Sequence, residues 1–367
     1  MKAIEPKMLK LLHAKASRQG IPLSGTFELS PCCNMNCKMC YVRKSREEVM
    51  NAGGEKTVED WLRIAEAAVS DGMLFLLLTG GEPFLYKGFK ELYQKLSSMG
   101  IVLSINTNGT MINEETVSWL KECAPSRVNV TLYGARRDSY ARLCQYPEGF
   151  DRTIHAIKLL KSAGINVKLN ASMTPYNISD LDGIYQLAES MGVYVQATAY
   201  MYPPIRKNEK YTGKGNRFLA EDAGKWQALI DKKRMTAEQF DARIKAMEEN
   251  HLLDIGDECS KEEGAPLRCR AGKSSFWINW KGEMTPCGLM TRPVYDPFIE
   301  GFDSAWRQLR EATSVIRLPV KCNDCKKKAV CNVCGASVLA ETGAFSQTPY
   351  YLCEMTDAMI KATLNLK

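Results

Sequence analysis

Cys33-Asn-Met-Asn-Cys37-Lys-Met-Cys40 sets three thiols at C-x3-C-x2-C spacing, just after the apolar, strand-like run from Thr26 to Leu29. Three cysteines in one short loop can wrap a metal centre. They are one short of the four that an ordinary iron–sulfur cluster or a structural zinc takes. Three protein ligands leave one coordination position open to a substrate or cofactor, which marks a chemical site rather than a scaffolding one. Spacing alone leaves a zinc knuckle or buried structural thiols as alternatives.

Outward from that loop, residues 25–215 alternate apolar runs with amphipathic stretches. Strands are expected at 25–30, 74–79, 102–107, 127–133, 166–173 and 194–201, and helices at 58–70, 89–98, 114–122, 151–163 and 179–191. Strands separated by helices of 10–15 residues imply βα units and a parallel sheet. Residues 202–268 turn polar, with Pro203-Pro204 and a charged helical stretch at 221–250 that reads as a linker covering the open side of that sheet. From Cys269 to Cys353 cysteine density rises and apolar periodicity weakens. A loop-rich segment of this kind buries little core, so metal sites are expected to hold it. The expected division is 1–24, a basic extension; 25–215, the βα domain; 216–258, a helical linker; and 259–367, the cysteine-rich domain.

At 367 residues the chain exceeds one ordinary core. Its 45% hydrophobic and 25% charged content is that of a soluble globular protein. No apolar run approaches the ~18 residues of a membrane span, and the N-terminus lacks the apolar core and cleavage site of a signal peptide. A cytoplasmic location is the expectation. Fourteen cysteines without an export signal argue for metal rather than disulfides.

Two later motifs give the cysteine loop its meaning. Thr79-Gly80-Gly81-Glu82-Pro83 ends the second strand run, and Asn106-Thr-Asn-Gly109 ends the third. Glycines admit close backbone approach, and Glu82 offers an acceptor to an ammonium group. With the C-x3-C-x2-C loop, these motifs resemble the radical S-adenosylmethionine (radical SAM) enzymes. The resemblance implies a partial (β/α)6 barrel with its catalytic loops at the C-terminal strand ends. It implies a 4Fe–4S cluster on Cys33, Cys37 and Cys40, whose open iron chelates SAM. Gly80, Gly81 and Glu82 would bind the amino group of SAM; Asn106, Thr131, Asn170 and Ser172 would face its other polar atoms. Met39 stands where relatives often have an aromatic residue, and Tyr133 stands where many carry an Asp in a Ser-x-Asp-Gly turn.

Cys269, Gly282 and Cys287, then Cys322-x2-Cys325-x5-Cys331-x2-Cys334 and Cys353, resemble the SPASM domain. This implies two auxiliary 4Fe–4S clusters, three clusters in all. The first would use Cys269, Cys287 and Cys334, with Cys259 a candidate fourth ligand; the second would use Cys322, Cys325, Cys331 and Cys353. The last internal gap is two residues rather than the family's three. A zinc ribbon on the two C-x2-C pairs would leave Cys269, Cys287 and Cys353 idle. Cys32, Cys123 and Cys144 read as structural thiols, Cys144 in a loop-like stretch. The formal charge of +7 falls to about +2 if eleven thiolates carry three cores of about +2 each, so no nucleic-acid partner is expected.

SPASM relatives crosslink ribosomal peptides, oxidise sulfatase residues, or oxidise alcohols and sugars. Gly288 stands where the sulfatase-maturing enzymes carry an Asp base. The leading expectation is oxidative modification of a ribosomally made peptide, with a flavodoxin- or ferredoxin-type electron donor. Only about 24 residues precede the barrel, so peptide recognition would come from a separate leader-peptide-binding protein or the barrel's own surface, or be absent. The alternative is dehydrogenation of a small alcohol or sugar; a non-catalytic iron–sulfur carrier would have no use for a SAM site. Tyr133 and Arg206 are the cavity candidates.

Overall fold

The computed structural model describes residues 7–204, 214–252 and 263–366. Six parallel strands follow one another across the sheet: β1 (Ser24–Glu28), β2 (Phe75–Thr79), β3 (Val102–Thr107), β4 (Arg127–Thr131), β5 (Val167–Ser172) and β6 (Tyr194–Thr198). Each is joined to the next by helix, as βα units require. The helices Val58–Ser70, Phe89–Ser98 and Glu114–Glu122 match the ranges read from periodicity. The fold is a partial (β/α)6 barrel followed by a cysteine-rich, loop-rich segment.

The strands alternate by face. Ile105, Val128, Val130, Leu169, Ala171 and Ala197 are buried in one continuous core with Trp61, Leu92, Leu120 and Ile157 of the helices. The intervening Asn106, Thr131, Asn170, Ser172 and Thr198 are half-buried. In register, Asn106 stands beside Asn129, and Thr131 beside Asn170, which stands beside Gln196. Period-2 side-chain alternation therefore packs one face against helices and leaves the other a polar row. Buried parallel strands usually read as continuous apolar runs, and this polar row departs from that pattern.

Three local readings needed correction. The 221–250 stretch is two helices, Ala220–Arg234 and Ala237–Glu249. At Thr236 a capping box starts the second: its hydroxyl accepts from the Gln239 amide, and the Gln239 side chain accepts from the Thr236 amide. Cys144 is not in a loop but ends the helix Arg137–Cys144. Within the weakly periodic C-terminal region, β7 (Ser275–Ile278) joins β1 in parallel and β8 (Met284–Thr285) pairs with β7 antiparallel, extending the barrel sheet. Strands this short carry too few side chains for a period to register. The helix Ala220–Arg234 packs against the C-terminal helix Tyr350–Leu364, and a Cβ on Gly224 would lie 2.3 Å from the Met355 carbonyl oxygen.

Candidate active site

The cysteine loop is braced from two sides. Asn36 N–H donates to the Cys144 carbonyl at 2.9 Å and Lys38 N–H to the Leu143 carbonyl at 3.0 Å. On the other side Asn108 Nδ2 donates to Asn34 Oδ1 at 3.0 Å, and Asn34 Nδ2 to Thr110 Oγ1 at 2.8 Å. This places Cys33, Cys37 and Cys40 at the C-terminal end of β1.

Each thiol has donors aimed at it. Cys33 Sγ accepts from Met35 N–H at 3.4 Å and from Asn108 Nδ2 at 3.6 Å. Cys40 Sγ accepts from Arg43 N–H at 3.3 Å. The Cys144 thiol and the Tyr133 hydroxyl donate to Cys37, in that order of weight, and hold its pKa below the ordinary thiol value. Burial and the neighbouring negative groups push Cys33 the other way, up to about 12. Tyr133 faces all three cysteines and meets Tyr140 edge-on, with ring centres 5.8 Å apart. Three neighbouring thiols that each accept from N–H, O–H or S–H donors suit thiolate ligands of a cluster, whose sulfurs take such bonds.

Gly80 and Gly81 bring the loop after β2 against the cysteine loop's backbone. Gly81 N–H donates to the Ser30 carbonyl at 2.7 Å and Glu82 N–H to the Cys32 carbonyl at 2.8 Å. A Cβ on Gly80 would lie 2.4 Å from Ser30 O, and one on Gly81 2.4 Å from Cys32 O. What the two glycines admit here is neighbouring protein backbone. Glu82 is fully buried, and its carboxylate accepts from Thr107 Oγ1 at 2.7 Å, Asn108 N–H at 2.8 Å and Phe84 N–H at 3.3 Å. Burial outweighs these bonds and raises its pKa to about 7. Glu82 thus clasps the β2 and β3 loops together, with Thr107 a partner that the motif alone did not single out. Asn106 accepts from Asn129 Nδ2 at 2.8 Å, while Thr131, Asn170 and Ser172 stand in the polar row.

The described cysteines of the C-terminal segment form two groups. Cys287, Cys334 and Cys269 face one another; burial first, and then the charges of the other two, push Cys287 up to about 11. Cys322 faces Cys353, Cys331 and Cys325, and burial with their charges raises it likewise to about 11. Among the described residues no three His, Cys, Asp or Glu side chains stand close enough to hold a metal ion as they lie, the Cys33, Cys37 and Cys40 set included. Cys259 and Arg206 lie outside the described residues. At Gly288 a Cβ would lie 2.7 Å from the indole of Trp277, whose Nε1–H donates to the buried Glu28 at 3.2 Å. No described helix is long and apolar enough to cross a membrane.

Residues 27–188 match the model of the Radical SAM superfamily. Residues 27–188 thus form a radical SAM domain, and that superfamily uses SAM and a 4Fe–4S cluster. The chain is 24% identical over 345 residues to the AdoMet-dependent heme synthase of Methanosarcina barkeri, covering 88% of this chain and 94% of that protein. It is 25% identical to the sporulation killing factor maturation protein SkfB of Bacillus subtilis, over 77% of this chain and 64% of SkfB. Its fold is that of the SPASM radical SAM enzymes: Streptococcus suis SuiB bound to precursor peptide SuiA superposes with a TM-score of 0.64 at 18% identity, over 95% of this chain and 82% of SuiB.

Proposed function

We propose that this chain is a radical SAM oxidoreductase that oxidatively modifies a ribosomally made peptide, by a crosslink or a related C–H functionalisation, with two auxiliary clusters accepting the electron. The observation that carries this reading is the separation of the described cysteines into three mutually facing groups: 33/37/40, 269/287/334 and 322/325/331/353. The first would hold the SAM-binding cluster and the other two the auxiliary clusters, with Cys259 a fourth ligand to the first of these. A cluster and SAM held there by Cys33, Cys37 and Cys40 would supply the one-electron chemistry that removes a hydrogen atom from the substrate.

The chain's own residues prepare that step. Glu82 and the glycines before it lock the β2 loop to the cysteine loop, and its carboxylate would accept from the ammonium of SAM. Asn106, Thr131, Asn170 and Ser172 offer the polar row to the carboxylate and ribose of SAM. Tyr133 would donate its hydroxyl to the Cys37 thiolate. Removal of one hydrogen atom, with one electron and one proton then leaving, is a net two-electron oxidation. A flavodoxin- or ferredoxin-type protein would supply the initiating electron, and a separate leader-binding protein or the barrel surface would present the peptide.

The near-complete overlap in length with the heme synthase favours a second reading: a small molecule in the same cavity, the dehydrogenation of an alcohol or sugar included. Anaerobic incubation with SAM, reductant and the short peptide encoded beside the gene, followed by high-resolution mass spectrometry, separates the two. A peptide that loses two hydrogens in step with 5′-deoxyadenosine supports the first. An unchanged peptide beside continuing 5′-deoxyadenosine formation overturns it in favour of the second.

A further inference from the structure

Tyr202 leaves the barrel just after β6 and enters the core of the cysteine-rich segment. Its ring packs with the cluster of Leu267, Met290, Ile316 and Leu318, beside Cys287 and Cys334. Its hydroxyl lies 3.7 Å from Cys334 Sγ. With both groups protonated, either could donate. A metal-bound cysteine is a thiolate and has no proton to give, whereas a phenol, with an ordinary pKa near 10, keeps its proton at neutral pH. In the loaded protein the bond therefore runs one way, from oxygen to sulfur.

The position is held firmly. Tyr200, two residues earlier, meets Tyr202 with ring centres 4.8 Å apart and donates to Glu341 at 2.9 Å. Arg217 donates to the Met201 carbonyl at 3.3 Å while pairing with Glu341. Glu341 and Cys334 belong to one short element: Cys334 N-caps the helix Gly335–Thr342, and Glu341 lies in its last turn. The exit of β6 thus grips both ends of the helix that presents Cys334.

We propose that Tyr202 is a positioning residue that donates a hydrogen bond to the Cys334 thiolate and so sets the reduction potential of the auxiliary centre on Cys269, Cys287 and Cys334. This rests on the cluster assignment proposed above. A donor on a cluster sulfur stabilises the reduced state more than the oxidised one, because the reduced state carries one more negative charge. Loss of the hydroxyl shifts the midpoint to a more negative value.

The test is an EPR-monitored redox titration of the anaerobically reconstituted full chain, with iron and sulfide quantified, in wild type, Tyr202→Phe and Tyr200→Phe. In Tyr202→Phe one auxiliary signal moves to more negative potential at unchanged iron content. The SAM-responsive signal stays in place, and Tyr200→Phe moves neither. Pulsed EPR of the wild type after exchange into D2O shows a deuteron coupled to that auxiliary signal, and Tyr202→Phe lacks it. An unmoved midpoint in iron-replete Tyr202→Phe overturns the proposal, as does the absence of such a deuteron in the wild type, a result that needs no variant to fold. A Cys334→Ala variant that keeps the full iron content of the wild type overturns the cluster assignment itself, and is told apart because no Tyr202 variant enters that measurement.

Discussion

Arg217 closes a two-point ion pair on Glu341, with nitrogen–oxygen distances of 2.6 and 3.0 Å, and the two side chains are only 8% and 6% exposed. The guanidinium also lies 3.9 Å from the centre of the Tyr351 ring. The pair joins the segment after β6 to the helix that follows Cys334. Removing one member leaves a buried charge without its partner, so Arg217→Ala is expected to cost about 3–5 kcal/mol in denaturant unfolding, while a double replacement by methionine costs less than that single change.

Glu82 gives the cluster-free protein a pH dependence whose sign follows from its burial. Its pKa rises from 4.5 to about 7 on folding, so the native state binds the proton more tightly than the unfolded chain. This contribution to stability is present in full below about 4.5, falls as pH rises to about 7, and is constant above it. The span is roughly 3 kcal/mol. Urea unfolding of the apo protein between pH 4 and 8 should show that decline, and Glu82→Gln should flatten it.

Gly81→Ala tests the contact between the two loops. The new methyl would stand 2.4 Å from the Cys32 carbonyl oxygen and 2.6 Å from that of Pro31, and backbone cannot move aside as a flexible side chain can. A loss of about 1–3 kcal/mol or more is expected. Iron retained at the Cys33 loop should fall with it, as measured by reconstitution followed by iron assay.

Single cysteine replacements should divide by group. Cys37→Ala is expected to lose about four irons and all 5′-deoxyadenosine formation. Cys353→Ala is expected to lose a similar amount of iron while still cleaving SAM under strong reductant. Cys144→Ala should keep its iron, because that thiol donates to Cys37 from the end of a neighbouring helix. Iron and sulfide assays with chromatography of 5′-deoxyadenosine read all three.

The sequence by itself determined the strands, most of the barrel helices and the cysteine spacing. These are local properties: a period of 2 or 3.6, a glycine pair, three thiols within eight residues. Only the tertiary structure decided that β7 extends the barrel sheet and that Cys144 packs on Cys37. It also decided that Thr107 and Asn108 hold Glu82 and that Tyr202 reaches Cys334, 132 positions away. Such contacts join residues brought together by chain topology, and no periodicity along the chain encodes them. The break at Thr236 belongs between the two: its capping residues stand in the sequence, yet an uninterrupted charged run concealed them until the backbone showed where one helix stops and the next begins.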